Sequence, residues 1–454
     1  MVVVHKLPPQ TPASMTGMKS PSIKQRLATA KPTWFSTYCI IAAFGTYFCM
    51  YAFRKPFTAG TFEGLFLFGA GYKTVLITSQ VFGYTLSKFI GIKYVSELGA
   101  SKRALGIVLL IGIAEVALLL FAVVPAPYNF ILLFINGLPL GMVFGLVLRF
   151  LEGRRLTEAL SAGLCASFIV SSGVVKSVGR ALIQDYGVSE FWMPFVTGMI
   201  FVIPLLTFVW MLNQIPPPSE EDVRLRTERV PMNHRMRRDF FRRHAIGLIG
   251  LLIVFILLTV MRSIRDDFAV EIWNGLGEGD EPSIYAKSET WVMIGVVVLN
   301  GVAIQIKSNR KAFMTALGLI VAGFLLIIAA LGFRQSGTLE AFPFMVLIGF
   351  GAYVPYVAFH TTVWERLIAA FREKATIGYL MYLADATGYL GYVGIMLFRE
   401  WFSPEIDFLP FFINVSYGIA IICLMVTFLL VIYYARILPG SETLEAGVDS
   451  TPTV

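Results

Sequence analysis

Runs of about twenty apolar residues recur along almost the whole chain, and they restrict its fold more than any other feature. A helix rises about 1.5 Å per residue, so each run is long enough to cross about 30 Å of hydrocarbon. Twelve spans are placed at 34–55, 74–93, 104–124, 128–148, 160–182, 191–212, 245–264, 289–306, 312–333, 342–363, 375–398 and 409–434. With 56% of its 454 residues hydrophobic and 15% charged, the chain carries more apolar surface than a soluble fold of this length hides. The expected class is an all-α polytopic membrane protein with twelve transmembrane helices, because a helix satisfies its own backbone inside lipid.

Charge gives the orientation. If both termini are cytoplasmic, and Arg54, Lys55 and Lys93 at the span ends are counted with the loops they border, the inner segments hold 26 of the 37 lysines and arginines, the outer loops seven and the spans four. That bias is the one expected when positive segments stay inside, and it makes the net charge of +8 a report of topology. Nucleic-acid binding is the weaker reading of the Arg-rich stretch "RLRTERVPMNHRMRRDFFRRH", which also carries acids and joins two spans. The expected organisation is a cytoplasmic tail (1–33), a six-helix bundle (34–212), a cytoplasmic linker (213–244) opening with "IPPPSEED", a second six-helix bundle (245–434) and a cytoplasmic tail (435–454). The first 33 residues lack a cleavable signal pattern, so the first span is expected to direct insertion into the cell (inner) membrane. Cys39, Cys49, Cys165 and Cys423 all fall in spans and read as small core hydrophobes.

The halves repeat. "EALSAG" with Glu158 and Gly163, followed by Gly173 and Gly179, reappears 215 residues later as "EKATIG" with Glu373 and Gly378, followed by Gly388 and Gly394. Gly137 in span 4 has Gly349 in span 10, and Arg54 has Arg262 at a displacement of 208. Glycine lets membrane helices approach closely, so repeated glycines suggest repeated packing. Two pseudo-symmetric six-helix bundles describe a major facilitator transporter, with its substrate site between them near mid-membrane.

Charges inside the spans then become candidates for function, since each costs about 2.5–3.5 kcal/mol at the bilayer centre. Arg54 and Arg262 lie at similar depth in the two halves and read as a site, with Asp266 and Asp267 of "MRSIRDDF" available as resting partners. Lys55, beside Pro56, reads as a headgroup anchor. Lys88, about 21 Å into its span, is either paired with Glu115 or part of the site. Asp385 is a candidate for proton coupling or a partner for a cation of span 5 or 7, and Glu115 is the other carboxylate suited to coupling. His360 reads as a hydrogen-bonded core residue. Tyr353, Tyr356, Tyr382 and Tyr389 are candidates to line a cavity. Glu97, Arg103 and Arg149, at the inner ends of spans 2 to 4, read as a conformational latch.

At these residues the chain resembles the organophosphate:phosphate antiporter family, typified by the glycerol-3-phosphate and hexose-phosphate transporters. "YAFRKPF" and "YTLSKFI" look like that family's motifs in helices 1 and 2, and "GMVFGLVLR", ending at Arg149, looks like helix 4. "RSIRDD" repeats the Arg and Asp spacing of helix 7, here Arg262 and Asp267, while "IGFGAYVP" and "GYLG" are similar to helices 10 and 11. The resemblance implies that Arg54 and Arg262 grip a phosphate or similar oxyanion, with Lys88 supporting. Span 5 departs from the pattern: "ASFIVSSGVVKSVGR" has no histidine where the family has one, and brings Lys176 and Arg180 instead. Lys176 joins the candidate substrate contacts, and a sugar acid or other carboxylate fits two arginines as well as phosphate does.

The expected function is alternating-access transport of a small organic anion by a monomer, with no cofactor or metal. Two arginines facing each other empty oppose closure, which favours exchange. Proton-coupled symport is the alternative, and a non-transporting sugar-phosphate receptor is a further one. Enzyme activity is not expected: the chain has no nucleotide-binding glycine loop, no metal-ligand spacing and no nucleophile beside a base.

Overall fold

The computed structural model describes residues 22–99, 102–151, 157–217, 234–371, 377–402 and 407–438. Twelve long helices carry the fold: α1 Pro32–Met50, α2 Tyr72–Glu97, α3 Arg103–Val123, α4 Phe130–Leu151, α5 Thr157–Gln184, α6 Met193–Asn213, α7 Ala245–Asp267, α8 Ile284–Ile304, α9 Asn309–Gln335, α10 Ala341–Ala358, α11 Ile377–Phe402 and α12 Phe408–Ile437. Nine of them are apolar enough by length and composition alone to span a membrane, among the described residues. The other three, α2, α8 and α11, carry Lys88, Glu289 and Asp385, and each of these charges is met by an opposite charge on a neighbouring helix. The chain is an all-helical polytopic membrane protein.

Packing repeats at an offset of six helices. In the first half α1 packs on α5 and α6, α2 on α4, and α3 on α4 and α6; in the second half α7 packs on α11 and α12, α8 on α10, and α9 on α10 and α12. The halves meet where α2 lies along α11 and α5 along α8. Gly137 and Gly349 share this symmetry: a Cβ on Gly137 would strike the Gln80 carbonyl of α2, and one on Gly349 would meet Val292 of α8 at 2.8 Å. The Gly173/Gly388 and Gly179/Gly394 pairs do not share neighbours, and the surroundings of Gly378, the counterpart of Gly163, lie outside the described residues. Gly173 faces Tyr285 and Glu289 on α8 across the halves, Gly388 faces Thr259 on α7 within its half, Gly179 packs on Met193, and Gly394 has open space. The sequence displacement is therefore a repeat of helix order, and only partly a repeat of contacts.

Two helices are irregular where the site forms. After Met50, α1 tightens into a 3₁₀ turn over Tyr51–Phe53, and a second such turn covers Pro56–Ala59. In α10, Pro355 removes one backbone donor, and four residues later the chain widens into a π turn, Phe359–Val363, before resuming as helix over Trp364–Phe371. A two-stranded hairpin, β1 Phe66–Leu67 and β2 Ala70–Gly71, leads into α2.

Candidate functional site

The break in α1 positions Arg54. Tightening the helix frees backbone carbonyls at the buried residues Phe53 and Arg54, and two amide side chains satisfy them. Asn136 Nδ2 of α4 donates to the Phe53 carbonyl at 2.9 Å and to the Ala114 carbonyl at 3.0 Å. Gln80 Nε2 of α2 donates to the Arg54 carbonyl at 2.7 Å and to Asn136 Oδ1 at 2.8 Å. Arg54, 4% exposed, then lays its guanidinium 3.9 Å above the centre of the Tyr84 ring and 5.8 Å from that of Tyr51. From the other half, Arg262 on α7 stacks 4.4 Å over Tyr356 and 5.9 Å from Tyr353. Both arginines line one cavity, together with Lys55, Gln80, Ser263, Asp267 and Tyr389. The space open to a water centre there is about 10 Å³, room for one water, so the halves are nearly closed around it.

Charge pairing separates these arginines from their neighbours. Seven lysines and arginines are buried among the described residues: Arg54, Lys55, Lys73, Lys88, Lys176, Arg262 and Arg265. Five have carboxylates. Lys55 bonds Asp267 and lies 2.8 Å from Asp266, Lys73 is 2.6 Å from Glu271, and Lys88 pairs with Asp385. Lys176 is 2.6 Å from Asp266, and Arg265 is 2.6 Å from Glu289. Arg54 and Arg262 have none among the described residues; the side-chain bond recorded for Arg262 is a 3.4 Å contact to Ser263. Their Nε atoms are buried without a hydrogen-bond partner among the described residues.

Several expectations from the sequence change here. Asp266 and Asp267 neutralise Lys55 and Lys176 rather than the arginines. Lys55 is 7% exposed and does not reach toward headgroups, because the break in α1 turns it into the seam between halves. Lys88 does not pair with Glu115. It reaches across the halves to Asp385 on α11, between the rings of Tyr84 and Tyr389, each centred 5.2 Å away. Glu115 on α3 is buried against Gly198 of α6, outside the cavity lining, and neither carboxylate oxygen has a hydrogen-bond partner among the described residues. Asp385 faces a cation of α2 instead of α5 or α7, and its other oxygen faces His360 Nε2 at 3.6 Å. Lys176 also bonds Ser172 at 2.7 Å, away from the cavity lining. Arg103 Nη1 donates to the Arg149 carbonyl at 3.2 Å, joining the start of α3 to the end of α4. The Glu97 and Tyr382 side chains lie outside the described residues.

The seam has a consistent polarity. Lys55, Lys73, Lys88 and Lys176 come from the first half and Asp266, Asp267, Glu271 and Asp385 from the second. Glu400 of α11 continues the pattern, accepting from the Gly71 amide at 2.9 Å and from Thr74 Oγ1 at 2.9 Å. Most of these ties cluster where α1 ends and α2 begins, at the opposite end of the bundle from the start of α1 and the end of α12. Lys88 lies 15 residues beyond Lys73, so its tie sits about 22 Å deeper. Sequence reading missed Gln80, Asn136 and Tyr84. The first two had a legible signal, since an amide in the middle of an apolar span marks a backbone group that needs a partner.

Solved structures share this architecture. The chain aligns with a crystal structure of the peptide transporter POT at TM-score 0.62 and 14% identity, covering 93% of this chain and 100% of that one. The D-xylose-proton symporter aligns at TM-score 0.54 and 15% identity, over 89% and 98% of the two chains. The nucleoside transporter NupG aligns at 0.56 and 14%, over 88% and 100%. At these identities the likeness is one of fold, that of the major facilitator transporters. No curated protein matches the chain in sequence. One family model, described as a family of unknown function (DUF5690), matches residues 56–437, which include Arg262, Lys88, Asp385 and His360. The protein therefore belongs to the DUF5690 family.

Proposed function

We propose that the protein is a secondary transporter of a small organic anion, phosphorylated or carboxylated, held between Arg54 and Arg262. The observation that carries this reading is the contrast among the seven buried cations of the described residues: five, Lys55 of the cavity lining included, have carboxylates, while Arg54 and Arg262, which line the same cavity from opposite halves, have none. A planar guanidinium makes paired charge-assisted hydrogen bonds to carboxylate or phosphate. Stacking on tyrosines holds each one in place with its donors left for a ligand. An anion between them would draw the halves together, and rocking of one bundle against the other would carry it across. With the site empty, two uncompensated positive charges oppose closure, which favours exchange of one anion for another. The protein would act as a monomer in the cell membrane, with both termini cytoplasmic.

Purified protein in liposomes tests this directly. Uptake of labelled phosphate, a sugar phosphate or a small dicarboxylate should rise several-fold when the vesicles are preloaded with the same anion. Uptake indifferent to preloading would remove exchange, and binding without any flux would favour a receptor.

A further inference from the structure

The short helix His234–Arg243, just before α7, carries five arginines and one acid in ten residues, and the anion clamp uses none of them. Its junction with α7 fixes its place. His244 leaves helical geometry at φ −112° and ψ 18°, so the chain bends there. The His244 ring lies 4.2 Å from that of Phe371, at the end of the helix that continues α10, and Phe241 packs on the core. Beyond the bend the outward face of α7 is apolar: Ile246, Ile249 and Ile253 are exposed, as on a helix that meets lipid tails. Arg242 stands four residues before Ile246 and Arg238 four before Arg242, about one helical turn for each step. Both arginines are exposed, and neither meets a carboxylate among the described residues. They stand where tails give way to headgroups. The ends of α7, α9 and α12 gather beside this helix around Tyr434. That ring is 4.8 Å from Phe313 of α9 and 6.4 Å from Phe371, and a Cβ on Gly247 of α7 would strike its hydroxyl. Lys307, Lys311 and Arg436 are exposed at the same ends. The opposite end of this half exposes acids instead, Glu278, Asp280, Glu340 and Asp407. A negatively charged surface therefore attracts one end and repels the other.

We propose that the short helix, extended by Lys307, Lys311 and Arg436, is a binding surface for anionic phospholipid of the leaflet at this end of the bundle. Headgroup phosphates lie against Arg238 and Arg242, and acyl chains run along Ile246, Ile249 and Ile253. The partner is a lipid because the basic residues continue directly into an apolar exposed face, and a free phosphate has no use for that face. A guanidinium holds a phosphate by paired hydrogen bonds, so an anionic headgroup is preferred over a zwitterionic one that brings its own cation. Lipid bound there braces the bend at His244, and through Phe371 and Tyr434 it braces the ends of α10 and α12 as well.

Lipid retention tests the proposal. Full-length protein in detergent micelles is mixed with equal amounts of phosphatidylglycerol and phosphatidylcholine, purified again, and its lipids are counted by mass spectrometry. Wild type should keep severalfold more phosphatidylglycerol than phosphatidylcholine, and high salt should erase most of that preference. Arg238→Gln with Arg242→Gln should lose at least half of it, whereas Glu278→Gln with Asp280→Asn should keep it. The thermal unfolding midpoint should rise with phosphatidylglycerol in wild type and rise less in the arginine variant. No preference in wild type, or the same preference in wild type and the arginine variant, would overturn the proposal. Inorganic phosphate that raises the wild-type midpoint as much as the lipid does, and does so through the same two arginines, would assign the surface to a free anion and overturn it too. Should the arginine variant fail to fold, Lys307→Gln with Lys311→Gln carries the same comparison, and an unchanged preference there would limit the surface to the short helix and contradict its stated extent.

Discussion

Arg54 and Arg262 carry the functional reading because their environment differs in kind from that of the lysines around them. Each guanidinium is enclosed by tyrosine rings of its own half and open toward the other. Replacing either with lysine keeps the charge and loses the fork. A hydrogen bond to a charged group is worth about 1.5–3 kcal/mol, so Arg54→Lys or Arg262→Lys should weaken anion binding by about tenfold to a hundredfold, with membrane insertion unchanged, as read by calorimetry on purified protein. Lys55 should behave otherwise. Removing one partner of a buried pair costs about 3–5 kcal/mol, so Lys55→Met, which strips Asp267 of its cation, should lower the thermal unfolding midpoint clearly. An unchanged midpoint would place Lys55 outside the seam. The sequence made the buried charges visible, since each is costly in an apolar span. It could not choose their partners. Distance along a helix follows from residue count, but rotation about its axis and the neighbour it meets depend on packing, so Lys88 was readable as deep and not as the partner of Asp385.

Among the elements, the interrupted α1 matters most. Its carbonyls are satisfied by Asn136 and Gln80, and those two amides bond each other, so the turn that aims Arg54 is held from α2 and α4. Asn136→Leu leaves the buried Phe53 carbonyl without this donor, at about 1–3 kcal/mol, while the Ala114 carbonyl keeps its bond within α3. It should reduce both stability and anion affinity, and intact affinity would show that Arg54 does not need the amide pair. The α2–α4 contact is equally specific. A side chain on Gly137 meets the backbone of α2, which cannot give way as a flexible side chain can, whereas Gly112 on α3 has open space. Gly137→Val should abolish the yield of folded protein, and Gly112→Ala should leave it unchanged. The spans were legible from their apolar runs to within a few residues. The turn after Met50 was not, because "YAFRKPF" reads as the end of a helix until the amides that hold it open are brought beside it.

At the scale of the whole molecule, twelve helices form two bundles whose packing repeats and whose seam is zipped by cations of the first half and acids of the second. The repeat was legible in the displacement of residues, and its contacts were not: among the repeated glycines whose surroundings are described, only the Gly137 and Gly349 pair keeps equivalent neighbours. In this conformation the far end is held closed by Lys55, Lys73, Glu271 and Glu400. Alternating access requires those ties to part. Val81 lines the cavity and is 5% exposed, so Val81→Cys should react slowly with a membrane-impermeant maleimide. Adding Lys73→Met and Glu271→Gln should speed the reaction severalfold, and an unchanged rate would mean the ties do not close the path. The central claim is that one guanidinium from each half grips the same anion. It is tested most directly by calorimetric titration of phosphate, a sugar phosphate and a dicarboxylate against wild type, Arg54→Lys, Arg262→Lys and the double variant. The account predicts that an anion bound by wild type loses at least tenfold in affinity in each single variant, and that the double variant loses less than the product of the two. An anion held by the double variant as tightly as by wild type would contradict it.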